Sequence, residues 1–199
     1  MNNHNPTTND HIAASITDSA SLISQLHSLI PDIKAVCDTI VSALQNGNKI
    51  LTAGHGGSAA EALHMSEEFV GRFMHDRQTL PAICLVSDGP LLTCIANDYG
   101  FEALFPRQLQ AHGQSGDVLV IFTTSGNGKG FEACLDHAEQ HGILTVVISG
   151  KTGGALKDRP THQLIMPSSA TARIQEAHQL IMHIILEAVE RAYMPDAEV

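Results

Sequence analysis

Apolar residues recur at helical spacing through the first quarter of the chain, at Ile12, Ile16, Leu22, Ile23, Leu26, Ile33, Val36, Ile40 and Leu44. This pattern predicts helix over about residues 10–45. Pro31 is expected to divide it in two, because proline lacks a main-chain donor and clashes with the preceding turn. A long apolar stripe of this kind is expected to pack against a second copy of itself. Asn46-Gly47-Asn48 then supplies the turn chemistry that stops the helix.

Beyond residue 48 the pattern changes. Short, continuously apolar runs at 49–53, 82–86, 118–122, 144–148 and 163–166 alternate with amphipathic segments at 58–73, 90–96, 103–112, 130–141 and 170–193. Strands apolar on both faces, separated by helices, predict a parallel sheet covered on both sides. The expected fold class is α/β, a doubly wound parallel sheet flanked by helices, with an N-terminal helical extension. The expected division is a disordered polar tail at 1–10, helices for oligomerisation at 11–46 and an α/β domain at 47–194.

Composition narrows the functional classes. The 199 residues are 43% hydrophobic and 16% charged, enough to bury one full core. The apolar runs fall far short of the roughly 20 residues a membrane helix needs, and residues 1–10 show neither the basic nor the apolar region of an export signal. A cytoplasmic protein without a membrane partner is expected. The net charge of −10 opposes general attraction to nucleic acid, so no such partner is expected and an anionic ligand would have to be held locally. Cys37, Cys84, Cys94 and Cys134 are widely spaced in apolar surroundings and are expected to be four buried thiols.

The most informative stretch is Gly54-His55-Gly56-Gly57-Ser58, which joins the first strand to a helix carrying His64 and Glu68. A glycine loop there turns main-chain N–H groups towards the helix start and can hold phosphate. His64 and Glu68, four apart, share a helix face. The third strand ends in Thr123-Thr124-Ser125-Gly126-Asn127-Gly128, a second anion cradle or simply a well-capped helix start. In doubly wound sheets ligands bind beyond the carboxyl ends of the strands, and both loops occupy that position.

The last helix holds Gln175, His178 and His183. Gln175 and His183 are separated by about 12 Å along a straight helix, at roughly 1.5 Å per residue. One site can use both only if the helix start is distorted or two subunits contribute. Taken singly, His178 and His183 read as structural histidines.

These residues, together with Glu67-Glu68 and Val70-Gly71-Arg72-Phe73, Ala96-Asn97-Asp98-Tyr99-Gly100-Phe101, and Arg173-Ile174-Gln175-Glu176, resemble the bacterial phosphoheptose isomerases of the sugar isomerase (SIS) fold. The motifs follow in order from about residue 40 to residue 190. The resemblance implies conversion of sedoheptulose 7-phosphate, a phosphorylated seven-carbon sugar, to D-glycero-D-manno-heptose 7-phosphate for lipopolysaccharide. It also implies a homotetramer with sites between subunits and one Zn2+ per subunit. Carried over by position, it places the metal on His64, Glu68, Gln175 and His183, and acid–base chemistry on Glu68 and His183. Sugar-phosphate contacts fall on His55, Gly56, Gly57, Ser58, His64, Glu68, Asn97, Asp98, Thr123, Thr124, Ser125 and Gln175.

Two positions depart from that family. His55 stands where an asparagine is usual, and Gly128 where a serine is expected. Loss of one neutral hydrogen bond costs about 0.5–1.5 kcal/mol, which weakens phosphate binding without abolishing it. The residue types suit the reaction independently. Ketose–aldose conversion through an enediol needs a base at carbon and a group that moves protons on oxygen. A divalent metal polarises both sugar oxygens, and His, Glu and an amide oxygen are acceptable zinc ligands.

Two rival readings remain open. One is a non-catalytic relative that associates with the replication initiator, suggested by the entry segment at 45–49 and the tail at 194–199, and opposed by the intact Glu67, Glu68 and His183. The other is an isomerase of a different phosphosugar, suggested by His55 and Gly128. His137, His141 and His162 show no partner spacing, Met65, Met74, Met166 and Met182 read as filling gaps, and His75-Asp76-Arg77 reads as a solvated loop.

Overall fold

The computed structural model describes residues 7–194. The expectations for residues 1–6 and for 195–199 lie outside the described residues. Helix α1 (Thr8–Gln25) starts inside the stretch expected to be a tail, because Thr7 and Asp10 form a reciprocal capping box that satisfies two main-chain donors. A single 3₁₀ turn (Leu26–Leu29) joins it to α2 (Ile30–Gln45), where Pro31 sits in the first turn and costs no hydrogen bond. The expected division at Pro31 is present.

The remaining elements are β1 (Ile50–Gly54), α3 (Gly57–Val70), β2 (Ala82–Cys84), α4 (Gly89–Tyr99), α5 (Leu104–His112), β3 (Val118–Phe122), α6 (Lys129–His141), β4 (Leu144–Gly150), β5 (His162–Met166) and α7 (Thr171–Tyr193). The five strands pair in parallel in the order β2-β1-β3-β4-β5. In register, Ile50 lies beside Val118 and Gly54 beside Phe122. β2 is shorter than its apolar run because the chain leaves the ladder at a turn, with Ser87 N–H donating to the Cys84 carbonyl.

Alternation along each strand divides the core. Ile50, Val118, Val120, Phe122 and Val146 face α2, α3 and α7, where they meet Val36, Ile40, Met65, Phe69, Ile181 and Ile185. Leu51, Ala53, Leu119, Ile121 and Val147 face α5 and α6, against Leu109, Phe131, Cys134 and Leu135. The N-terminal helices are thus built into one face of the sheet, through α2 and α7. Cys37, Cys84 and Cys134 are buried as expected, but Cys94 is exposed. In α4 the buried residue is Ile95, so its neighbour Cys94 points outward, towards Asp98.

Candidate active site

Strand order reverses between β1 and β3, so the helices that follow these strands leave on opposite faces and open a crevice at their carboxyl ends. Both sequence-predicted cradles line it. A cavity of about 290 Å³ is bounded by His55, Gly57 and Ser58 from the first loop and Thr123, Thr124, Ser125 and Asn127 from the second. Gln175 and Thr171 from α7 close it. This is near the lower end of the range for small-ligand sites, roughly 300–1,000 Å³.

Close packing shapes both loops. A Cβ on Gly54 would overlap the Ser58 carbonyl, so glycine lets α3 start directly over the end of β1. Gly126 has a φ of +67° and approaches the Gly153 carbonyl so closely that only glycine fits. The second loop is held by its own polar groups: Gly126 N–H donates to Thr123 Oγ1 at 3.2 Å, and Asn127 N–H to Ser125 Oγ at 3.2 Å. Asn127 Oδ1 also accepts from Ala155 N–H at 3.0 Å. The cradle is therefore fixed before any ligand arrives, and its wall carries hydroxyls and an amide.

Deeper in α3, Thr52 Oγ1 from β1 donates to the Ala62 carbonyl at 2.7 Å and lies 2.7 Å from Ser66 Oγ. This buried contact sets the rotation of α3 and turns His64 and Glu68 to the face opposite β1, towards α7. His64 Nε2 lies 3.1 Å from Glu68 Oε1. The His183 ring meets that of His64 edge-on, with centroids 5.5 Å apart, and also packs against Phe73 at 5.5 Å. Between the two imidazoles stands Gln179, whose Nε2 lies 2.6 Å from His64 Nδ1 and 3.4 Å from His183 Nε2. Gln179 was not foreseen from the sequence; its place four residues before His183, on the same helix face, was the available signal. Ligand atoms of His64, Glu67 and Glu68 lie within 4.8 Å of one another.

The structure gathers some predicted residues and separates others. Gln175 lines the cradle and, with His64 and Gln179, an adjoining cavity of about 480 Å³. It stands two turns from His183, as the spacing along α7 requires. Asn97 and Asp98 are exposed at the end of α4, bonded to each other, and line neither cavity. Their helix packs through Ile95 and turns them away from this chain's own cradle.

His55 leans on Phe101, Phe105 and Phe131, with centroid separations of 5.1, 4.9 and 4.7 Å. Partial burial against these rings holds its pKa below the ordinary histidine value. His178 is structural, as read: it is fully buried, with Nδ1 3.3 Å from Glu61 Oε2 and Nε2 3.3 Å from the Ser149 carbonyl. His75-Asp76-Arg77, expected to be a solvated loop, is in part internal. The Arg77 side chain is 2% exposed and that of Glu190 1%.

Comparison with known proteins agrees with this geometry. The SIS domain family model matches residues 16–150. A phosphoheptose isomerase from a Geobacter species is 47% identical over 163 residues, covering 82% of this chain and 85% of the relative. Phosphoheptose isomerase 2 of Campylobacter jejuni is 44% identical over 190 residues, covering 96% and 94%. Among solved structures, a phosphoheptose isomerase from Francisella tularensis superposes with a TM-score of 0.89 at 32% identity, covering 93% of this chain and 99% of the other. One from Neisseria gonorrhoeae gives 0.85 at 33%, covering 92% and 99%. The chain belongs to the phosphoheptose isomerase family of SIS-domain proteins.

Proposed function

We propose that this protein isomerises sedoheptulose 7-phosphate to D-glycero-D-manno-heptose 7-phosphate, in the heptose branch of lipopolysaccharide synthesis. The observation that carries this reading is the meeting of Glu68, His64 and His183, from two helices, beside a preformed hydroxyl-lined cradle. Ser58, Thr123, Thr124 and Ser125 hold the phosphate, and the carbonyl end of the sugar extends towards α3 and α7. Glu68 takes the proton from the carbon beside the carbonyl and returns it to the neighbouring carbon, while His183 moves protons on the oxygens. His64 orients the Glu68 carboxylate.

The donors also suit zinc. Zinc held at about 2.0–2.2 Å in a tetrahedron separates neighbouring ligand atoms by roughly 3.3 Å, and His64 Nε2 and Glu68 Oε1 stand 3.1 Å apart. One zinc per subunit on His64, Glu68, Gln175 and His183 belongs to the proposal. Bound there, it would polarise the sugar oxygens as a Lewis acid.

A homotetramer with shared sites is proposed as well. Ile12, Ile16, Ile23 and Ile30 stay 38–65% exposed along the N-terminal helices, a stripe that a second copy would cover. Asn97 and Asp98, turned away from this chain's cradle, would then serve a neighbour's. Among the described residues no helix is long and apolar enough to cross a membrane, and cytoplasmic placement is part of the same reading.

The test is conversion of sedoheptulose 7-phosphate by the wild type and by Glu68→Gln, with metal content measured on the same samples. Turnover in the wild type and its loss in the variant are expected. A folded, zinc-loaded wild type that leaves this sugar unchanged would refute the substrate. A panel of other ketose phosphates then separates a different isomerase, to which the His55 ring in the cradle wall points, from an initiator-binding protein that turns over none.

A further inference from the structure

Gln179 is a side chain in the reaction centre that none of the foregoing roles uses. It is half-buried on α7, between Gln175 and His183, and all three lie on one helix face at four-residue spacing. Its amide reaches across to α3, 2.6 Å from His64 Nδ1, while the other ring nitrogen of His64 stands 3.1 Å from Glu68 Oε1. Both nitrogens of His64 are therefore occupied, one by a carboxylate and one by an amide. The same Gln179 amide lies 3.4 Å from His183 Nε2. A surface glutamine with no task would extend into solvent, whereas this one spans the gap between two helices and touches both imidazoles.

We infer that Gln179 is a positioning residue that holds His64 and His183 ready for a divalent metal. The inference rests on reading His64, Glu68 and His183 as a metal centre. A histidine that binds a metal through one ring nitrogen engages a fixed partner with the other, which sets the ring's tautomer and its angle of approach. An amide carries both a donor and an acceptor and can complement either tautomer. Gln179 supplies this partner to His64 from the helix that carries His183, so one side chain sets both rings relative to each other. Removing such a partner lowers metal affinity by about 10–100-fold.

The test is zinc titration of the metal-free protein against a chromophoric chelator, for the wild type, Gln179→Met and Gln179→Asn. Methionine keeps the length and apolar contacts without the amide; asparagine keeps the amide but is one methylene too short to span the gap. Both variants are expected to bind zinc about 10–100-fold more weakly, with metal-free melting temperatures close to the wild type. In the cobalt-substituted protein the visible bands should shift in position, as rings held at altered angles require. If either variant is unstable, the other carries the comparison. Wild-type affinity and an unchanged cobalt spectrum in a folded variant would overturn the inference and leave the metal centre standing. A wild type that takes up neither metal would overturn both.

Discussion

The Arg77 guanidinium donates from Nη2 to the main-chain carbonyl of Glu68 at 2.6 Å. Its Nη1 donates to the Phe69 carbonyl at 2.9 Å. These are carbonyls at the end of α3, where the helix dipole favours a cation. Behind the guanidinium lies the Glu190 carboxylate of α7, with Nε 3.8 Å from Oε1. A polar loop thus reaches inside to clamp the turn that carries Glu68.

Replacing Arg77 should loosen that turn. Arg77→Met leaves the buried Glu190 without its cation, a loss of about 3–5 kcal/mol by analogy with other broken buried pairs, or roughly 10 °C of melting temperature for a domain of this size. Turnover should fall more than affinity for the sugar phosphate, because the cradle is untouched. Arg77→Lys keeps the charge without the fork and should fall between. Calorimetry and steady-state kinetics on both variants check this; wild-type melting and turnover would contradict it.

Glu190 predicts an acid sensitivity. Burial raises its pKa, but N–H donors from Met74 and His75, the His75 ring and the Arg77 charge outweigh burial and leave it below the ordinary glutamate value. The folded state therefore holds the carboxylate in preference to the acid. Its stabilisation is complete above the unfolded-state value and is lost as pH falls through the lower folded-state value. Glu190→Gln should be less stable near neutrality and should flatten the fall in urea midpoint between about pH 5 and about pH 3.

The thiols should differ in reactivity. Burial raises the Cys37 pKa to about 11, with Asp38 adding to the effect, and burial raises that of Cys134 to about 12. Neither supplies thiolate near neutrality, and Cys84 is 7% exposed. Cys94 alone among the four is exposed, so a disulfide reagent should titrate one fast thiol per chain, and Cys94→Ser should remove that phase.

His55→Asn separates packing from specificity. The ring's contacts with Phe101, Phe105 and Phe131 are worth about 0.5–1.5 kcal/mol per pair beyond area burial, an upper bound of about 4.5 kcal/mol for three pairs that the ring's exposure lowers, so the variant should be less stable by about 1–3 kcal/mol. It should also widen the cradle wall. If His55 restricts the sugar, kcat/KM of the variant should rise for longer ketose phosphates relative to shorter ones. An unchanged ranking would assign His55 to packing alone.

Much of this was legible because period and punctuation agreed. The run at 118–122 is β3, and the glycines at 54, 56 and 57 announced the turn into α3. The cradle residues and the His64–Glu68 pair are local in sequence, so spacing sufficed. Gln179 and Arg77 escaped because their partners are remote: His64 is 115 positions from Gln179, and Glu190, on α7, is far along the chain from the loop that carries Arg77. A polar residue whose partner is far along the chain looks like one facing water. Cys94 was misjudged because α4 buries little besides Ile95, and apolar neighbours in sequence did not mean cover in space.

The packing of α2 on α7 also orders events during synthesis. The apolar faces of Val36 and Ile40 are completed by Ile181 and Ile185, which leave the ribosome long after them. At about 5–20 residues per second, the opening helices wait roughly ten seconds for that cover. β1 likewise waits for β3, its neighbour in the sheet. Through this interval the nascent chain exposes greasy helix faces and an unpaired strand, surfaces of the kind that aggregate when left uncovered, so chaperones that shield them should raise its yield.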